Sequence, residues 1–329
     1  MRHSRRLALL AFCLLATHAP AAEWQAVTAD LLRAEKPGYG GLCGVAVDRA
    51  SGDVLIDLSD KGLYRSADQG KTWRKHGPVI KGRTETPGCL LFDPTGKTKR
   101  LLTALVYGAP VSVSPDAGKT WKTLDARSAH VDWCVADWTD PDLKFLLALK
   151  HESGGMLLRS LDGGKSFTQL GQGHGPAWVF DDRTAVVAEE KTKKRPRPRL
   201  LHTTDGGKTW ESSGEFTATA LPRWRDGTLY WLADGGLIST ADAGKTWKKL
   251  GDPKGGLFGP VFGKDAKHLF VLTKSGVVES ADGGVTWSRP VALPKEMKGA
   301  STLSWLEYDP KNDVLYVMKM GSDLYKLAR

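Results

Sequence analysis

Cysteine is scarce, with four in 329 residues. One, Cys13, falls in an apolar run near the start. The other three, Cys43, Cys89 and Cys134, are an odd number, so they exclude a fully paired disulfide scaffold. Long apolar runs are missing too: none approaches the ~20 residues that a membrane-spanning helix needs, so no transmembrane segment is expected. Helical periodicity is confined to a turn or two near residues 29–34, which argues against α and α/β folds. Metal-ligand spacing is also lacking. His151-Glu152 and His130-x-Asp132 offer ligand types without the recurrence of a metalloenzyme motif, and neither a metal nor a cofactor is expected.

Charge of one sign is less abundant than it first looks. The formal charge is +10, but Arg2, Arg5 and Arg6 sit at the extreme start, and Lys191, Lys193, Lys194, Arg195, Arg197 and Arg199 crowd into one segment. Without those nine positives the chain is close to neutral, which argues against a nucleic-acid binder. The three early arginines, the apolar run 7–16 and the small residues 19–21 have the three parts of a secretory signal. The expectation is a signal peptide over 1–21, then one domain over 22–329, exported to a periplasm or medium as a monomer.

What is present in quantity is a repeat. Ser66 to Trp73 reads SADQGKTW, and the same design returns as SPDAGKTW, SLDGGKSF, TTDGGKTW, TADAGKTW and SADGGVTW. The aspartates are Asp68, Asp116, Asp162, Asp205, Asp242 and Asp282, spaced by 48, 46, 43, 37 and 40 residues. Periods of this size mark stacked or circular arrays. Short apolar runs bounded by Gly, Pro and Asp lie between copies, so each unit reads as four antiparallel strands, one propeller blade. Three strands follow the sixth copy, and EWQAV at Glu23 to Val27 aligns with TWKTL, placing Trp24 at the repeat tryptophan's position. The expected fold is all-β, a seven-bladed β-propeller whose last blade is closed by the N-terminal strand.

Each residue of the repeat has a structural task. The aspartate accepts hydrogen bonds from following N–H groups, the glycine supplies positive φ, the hydroxyl bonds back to the loop, and the tryptophan fills space between blades. On these residues the chain resembles the Asp-box, or BNR-repeat, β-propeller superfamily over its whole length after the signal. That superfamily includes sialidases, two-propeller xyloglucanases, sortilin-type receptors and photosystem II assembly factors. The resemblance implies that the repeat acids are structural and that ligands meet the opposite face.

That face carries the loops leading into each blade and those joining second and third strands. Its candidate ligand-binding residues are Tyr39, Arg83, Tyr107, His130, Asp132, Lys150, His151 and His174. If the protein is an enzyme, Glu85, Glu152, Glu189 and Glu190 are the acids a glycosidase would use. The Lys191 to Arg199 segment reads as an extended, self-repelling loop able to dock an acidic partner. Cys43, Cys89 and Cys134 each fall near the start of an innermost strand, leaving open a Cys43–Cys89 disulfide, a soft-metal site or buried free thiols. No arginine triad announces a sialidase, and only one propeller is present. The reading is therefore a non-catalytic binding or assembly module with a protein or glycan partner, nearest among its relatives to the photosystem II assembly factors. A glycan hydrolase is the alternative.

Overall fold

Seven antiparallel sheets form a closed ring in the computed structural model, which describes residues 23–218 and 220–329. The expected signal segment lies outside the described residues. From blade one to blade seven the innermost strands are Gly44–Asp48, Leu90–Phe92, Val131–Ala136, His174–Val179, Arg223–Arg225, Gly256–Phe262 and Ser304–Asp309. Later strands of each blade step outward, so the inner strands of neighbouring blades pack around a central channel. The protein is a seven-bladed β-propeller.

Ring closure falls in blade seven. Gln25–Ala26 pairs antiparallel with Tyr325–Ala328, Gln25 opposite Lys326 and Ala26 opposite Tyr325. The Val27 N–H donates to Leu324 O at 2.9 Å, and Thr28 Oγ1 accepts from the Leu324 N–H at 2.8 Å. Trp24 packs with Leu293 and Ala300 against the apolar interior shared by blades six and seven, and its Nε1 donates to Ala292 O at 2.7 Å. This pairing covers the outer edge of Tyr325–Ala328 with the two-residue N-terminal strand and so joins the chain ends in one sheet. A short helix, Ala29–Glu35, then leads toward blade one.

Blade six departs from the four-strand expectation with three, Gly256–Phe262, Leu269–Thr273 and Gly276–Ser280. Its outer edge keeps only a bridge between Val277 and Val291 and the exchange of bonds between Glu279 and Ser288. The reason is visible in Ser288-Arg289-Pro290: a proline has no N–H to give a strand ladder.

The repeat turns connect third to fourth strands. In every copy the leading Ser or Thr hydroxyl donates to the aspartate Oδ1 at 2.7–2.8 Å and accepts from the glycine N–H at 2.7–2.9 Å. The later Thr or Ser hydroxyl donates to Oδ2 at 2.5–2.8 Å. Two successive residues have positive φ, for example Gln69 at 62° and Gly70 at 85°. The first of these is Gly in three copies and Gln or Ala in the others.

These bonds act on the ionised acid. The Thr72 hydroxyl holds the Asp68 carboxyl down to about 2, the Thr120 N–H does so for Asp116, and the Thr286 hydroxyl for Asp282. Such carboxylates contribute stability above the unfolded value of about 3.9 and lose it as pH falls toward the folded value. The contribution of these carboxylates to the urea midpoint, read as the difference between the wild type and a repeat-aspartate variant, should therefore be level from pH 7 to about 5 and then drop between about pH 4 and 2. Asp282→Asn should blunt part of that drop. An acid limb as steep in the variant as in the wild type would show that this carboxylate plays no part in it.

Candidate functional site

The thiols report first on how the loop face is held. Cys43, Cys89 and Cys134 are all free and buried. The disulfide left open by the sequence is not formed, because the two side chains are engaged elsewhere. Cys43 Sγ donates to Asp57 Oδ2 at 3.2 Å, and Cys89 Sγ donates to Asp132 O at 2.6 Å. Burial pushes the thiol pKa of each well up, with Asp57 adding to the effect on Cys43 and Asp132 on Cys89. They behave as small inner-strand fillers rather than nucleophiles. Asp57, whose carboxyl burial raises to about 6, also accepts from the Thr84 N–H, and Thr84 Oγ1 donates to Cys43 O at 2.7 Å. Thr84 is thereby clamped to blade one, which fixes its neighbours Arg83 and Glu85.

Four loops converge on that point. The Arg83 guanidinium lies 4.6 Å from the Tyr39 ring centre and 4.8 Å from that of Tyr107, a cation between two aromatic faces. Arg83 Nη2 donates to Glu85 Oε1 at 2.8 Å. Both tyrosines stand in solvent, Tyr39 77% exposed and Tyr107 54%, whereas the Arg83 side chain keeps only 15%. Beside them the rings of Tyr107, His130 and His151 pack mutually at 4.6–5.2 Å. His151 Nδ1 is 2.5 Å from Asp132 Oδ1, and its Nε2 faces Glu85 at 3.9 Å and Glu152 at 3.7 Å. Tyr107 is hydrogen-bonded to Glu152, which raises the phenol's pKa. Burial, with His151 next, pushes His130 below its ordinary value.

Three residues of this cluster, Tyr107, His130 and Glu152, have φ of 49°, 57° and 49°. Positive φ is uncommon for such side chains and is retained where the surroundings over-determine it. Those surroundings are identifiable: the Tyr107 N–H donates to His130 Nδ1 at 3.0 Å, His151 N–H to His130 O, and Lys150 Nζ to Ala129 O at 2.8 Å. Lys150 is thus a strut between loops, not a free cation. Ligand atoms of His130, His151 and Glu152 lie within 4.8 Å of one another, the spacing of a cation site. The His130 Nδ1 lone pair is taken by the Tyr107 N–H, however, so His151 Nε2 and Glu152 are the two ligands ready to serve.

His174, Glu189 and Glu190 adjoin the cluster through the blade-three loop. The His174 N–H donates to Gly155 O, and the Glu190 N–H to Gly173 O. A Cβ on Gly155, at φ 74°, would stand 2.5 Å from His174 O, so this junction requires glycine. Glu189 is buried. Arg199 holds it through Nε and Nη2 at 3.1 and 3.0 Å, with Arg195 at 3.4 Å, and the Arg199 bonds lower its pKa. A carboxylate held this way is neither a free base nor an acid carrying a proton, so it does not fit the glycosidase role considered for it. The same contacts revise the basic segment. Arg195 and Arg199 fold back onto Glu189, and Lys191 pairs with Asp234 at 3.6 Å. Among the described residues Lys193, Lys194 and Arg197 remain as its exposed, unpaired cations.

A second feature had no signal in the loop inventory. The central channel widens into a cavity of about 580 Å³ near the turns between first and second strands, lined by Arg49, Trp178, Arg223, Arg225, Phe262 and Glu307 among others. The signal available was Arg223-Trp224-Arg225, two cations placed on an innermost strand.

The fold and this loop cluster define a β-propeller with an ordered, aromatic and charged face. No protein-family model matches the sequence, and no curated protein matches it. Solved structures do share its shape. It is similar to a structure described as YCF48 bound to D1 peptide, at 15% identity over 95% of this chain and 96% of that one, with a TM-score of 0.57. YCF48 from Cyanidioschyzon merolae gives 13% identity over 93% and 98%, with a TM-score of 0.52. The Cps50 (Swd1) β-propeller domain from Myceliophteria thermophila gives 12% over 87% and 96%, with a TM-score of 0.58. Identity this low shows a common fold and nothing finer.

Proposed function

We propose that the protein is a non-catalytic binding module of the Asp-box type, exported by its N-terminal segment and monomeric, whose loop face grips an extended segment of a partner protein. One observation carries the reading: Arg83, held in place by Glu85 and buried Thr84, between the exposed rings of Tyr39 and Tyr107. Exposed tyrosines around an ordered arginine are the composition of binding hot spots, and a pre-ordered site loses less entropy on association. The structural neighbour described with a bound peptide supports the choice of a polypeptide ligand only to the extent that a fold of this kind accommodates one. Lys193, Lys194 and Arg197, on a loop beside the cluster, would favour an acidic stretch next to the gripped segment.

The hydrolase alternative has one observation in its favour, Glu85 and Glu152 both approaching His151 Nε2. Against it, His151 stands between the two acids and Glu85 is spent on Arg83. The test separates them. Mature wild-type protein immobilised against its own envelope extract should retain a partner, at near wild-type yield or with modest loss in Glu152→Gln and with a larger loss in Glu85→Gln, which loosens Arg83. Hydrolysis of any member of a glycan panel, abolished by either substitution, would replace the binding reading with the enzymatic one.

A further inference from the structure

We propose that the central channel is a second binding site, for a small organic carboxylate held by Arg223. Three arginines reach the cavity, and two are already satisfied. Arg49 donates from Nη1 and Nη2 to Phe262 O and Gly263 O at 2.6 and 2.7 Å, and Arg225 donates to Asp226 at 2.9 Å. Arg223 is different: its Nε and Nη2 are buried without a hydrogen-bond partner, and its approach to Glu307 is 3.8 Å, too long for a bond. Its guanidinium rests 4.6 Å from the Phe258 ring centre, and the side chain is 12% exposed. A guanidinium sequestered from water without an acceptor is costly, and such groups in native proteins ordinarily meet an anion or ordered water.

The surroundings favour an anion over a cation. Six cations line it, Arg49, Lys97, Lys99, Arg223, Arg225 and Lys264, against four acids, Asp48, Asp93, Asp226 and Glu307, and burial raises the Glu307 carboxyl to about 7, which favours its protonated form. A carboxylate matches the planar fork of arginine, and protonated Glu307 can donate to its second oxygen. Trp178, Trp224 and Phe262 supply apolar walls for the body of the molecule, and the volume of about 580 Å³ lies within the range of small-molecule sites. The cavity opens among the first-to-second strand turns, and the Arg223 head lies at its deep end beside Gly88, where a Cβ would stand 3.4 Å from Nη2.

Titration calorimetry of the mature chain with benzoate, succinate and citrate tests it, with benzamide and benzylamine as neutral and cationic counterparts of benzoate. At least one carboxylate should saturate with a Kd of about 1 mM or tighter. Arg223→Gln should weaken that binding by about tenfold or more, Glu307→Gln should tighten it, and Arg83→Ala on the opposite face should leave it unchanged. Opposite signs for Arg223→Gln and Glu307→Gln are not what a purely structural pair would give. If Arg223→Gln does not fold, as judged by circular dichroism, Glu307→Gln decides alone. The proposal is overturned if none of the three carboxylates saturates, if benzylamine binds better than benzoate, or if Glu307→Gln leaves affinity unchanged or lower. Channel water would then be what satisfies Arg223.

Discussion

Replacing Trp231 by alanine is expected to destabilise the propeller by about 3–5 kcal/mol, the range for removing a fully buried tryptophan. The ring is 0% exposed, lies in the apolar cluster that joins blades two to five, and packs at a tilt of 54° with its centre 5.8 Å from that of Trp247, the tryptophan of the fifth repeat. Its Nε1 donates to Ala220 O at 2.7 Å, so the substitution also strips a carbonyl of its donor. Urea unfolding would show the midpoint falling with little change in slope, since the surface exposed on unfolding is nearly the same. A loss under about 1 kcal/mol would mean that neighbouring blades close over the cavity, and that the contact between them is softer than the packing implies.

Arg83→Ala is expected to reduce retention of the loop-face partner by about two orders of magnitude, the effect of losing a central hot-spot arginine. The guanidinium spans Tyr39 and Tyr107 and neutralises Glu85, so its removal frees both rings and leaves a carboxylate facing them. Arg83→Lys should recover only part of the binding, because an ammonium keeps the charge but cannot present a flat face to two rings. Binding curves with the partner retained by the wild type, alongside thermal unfolding of each variant, would measure this. Full retention by a folded Arg83→Ala variant would remove the observation on which the function rests.

The architecture was legible because its information is local. Each repeat turn is closed by bonds between residues two to four positions apart, as between Ser66, Asp68, Gly70 and Thr72, so eight consecutive letters contain the whole device. Closure of blade seven was legible for the same reason, Trp24 standing in register with the other repeat tryptophans. The site is another matter. Tyr39, Arg83, Tyr107, His130 and His151 could each be assigned to the correct face, but their adjacency comes from three successive blades meeting at one end of the channel. Nothing in the sequence near Arg83 announces the two rings it lies between. Glu189 stood among the acids a glycosidase would use, and its pairing with Arg199, ten positions on, could not be read from a segment whose charges look mutually repelling. Arg223 and Glu307 meet across the channel from blades five and seven, a proximity that depends on the curvature of the whole ring.

The pairing of Gln25 with Lys326 means that the circle is held shut by a few hydrogen bonds and one tryptophan instead of a peptide link. The order of blades along the gene is then arbitrary with respect to the finished molecule. A circular permutant with residues 23 and 329 joined by a short linker, and new ends cut in the exposed segment Lys191 to Arg199, should rebuild the same seven blades. In such a molecule the present seam would become an ordinary covalent turn, and blade four would inherit the task of bringing beginning and end together.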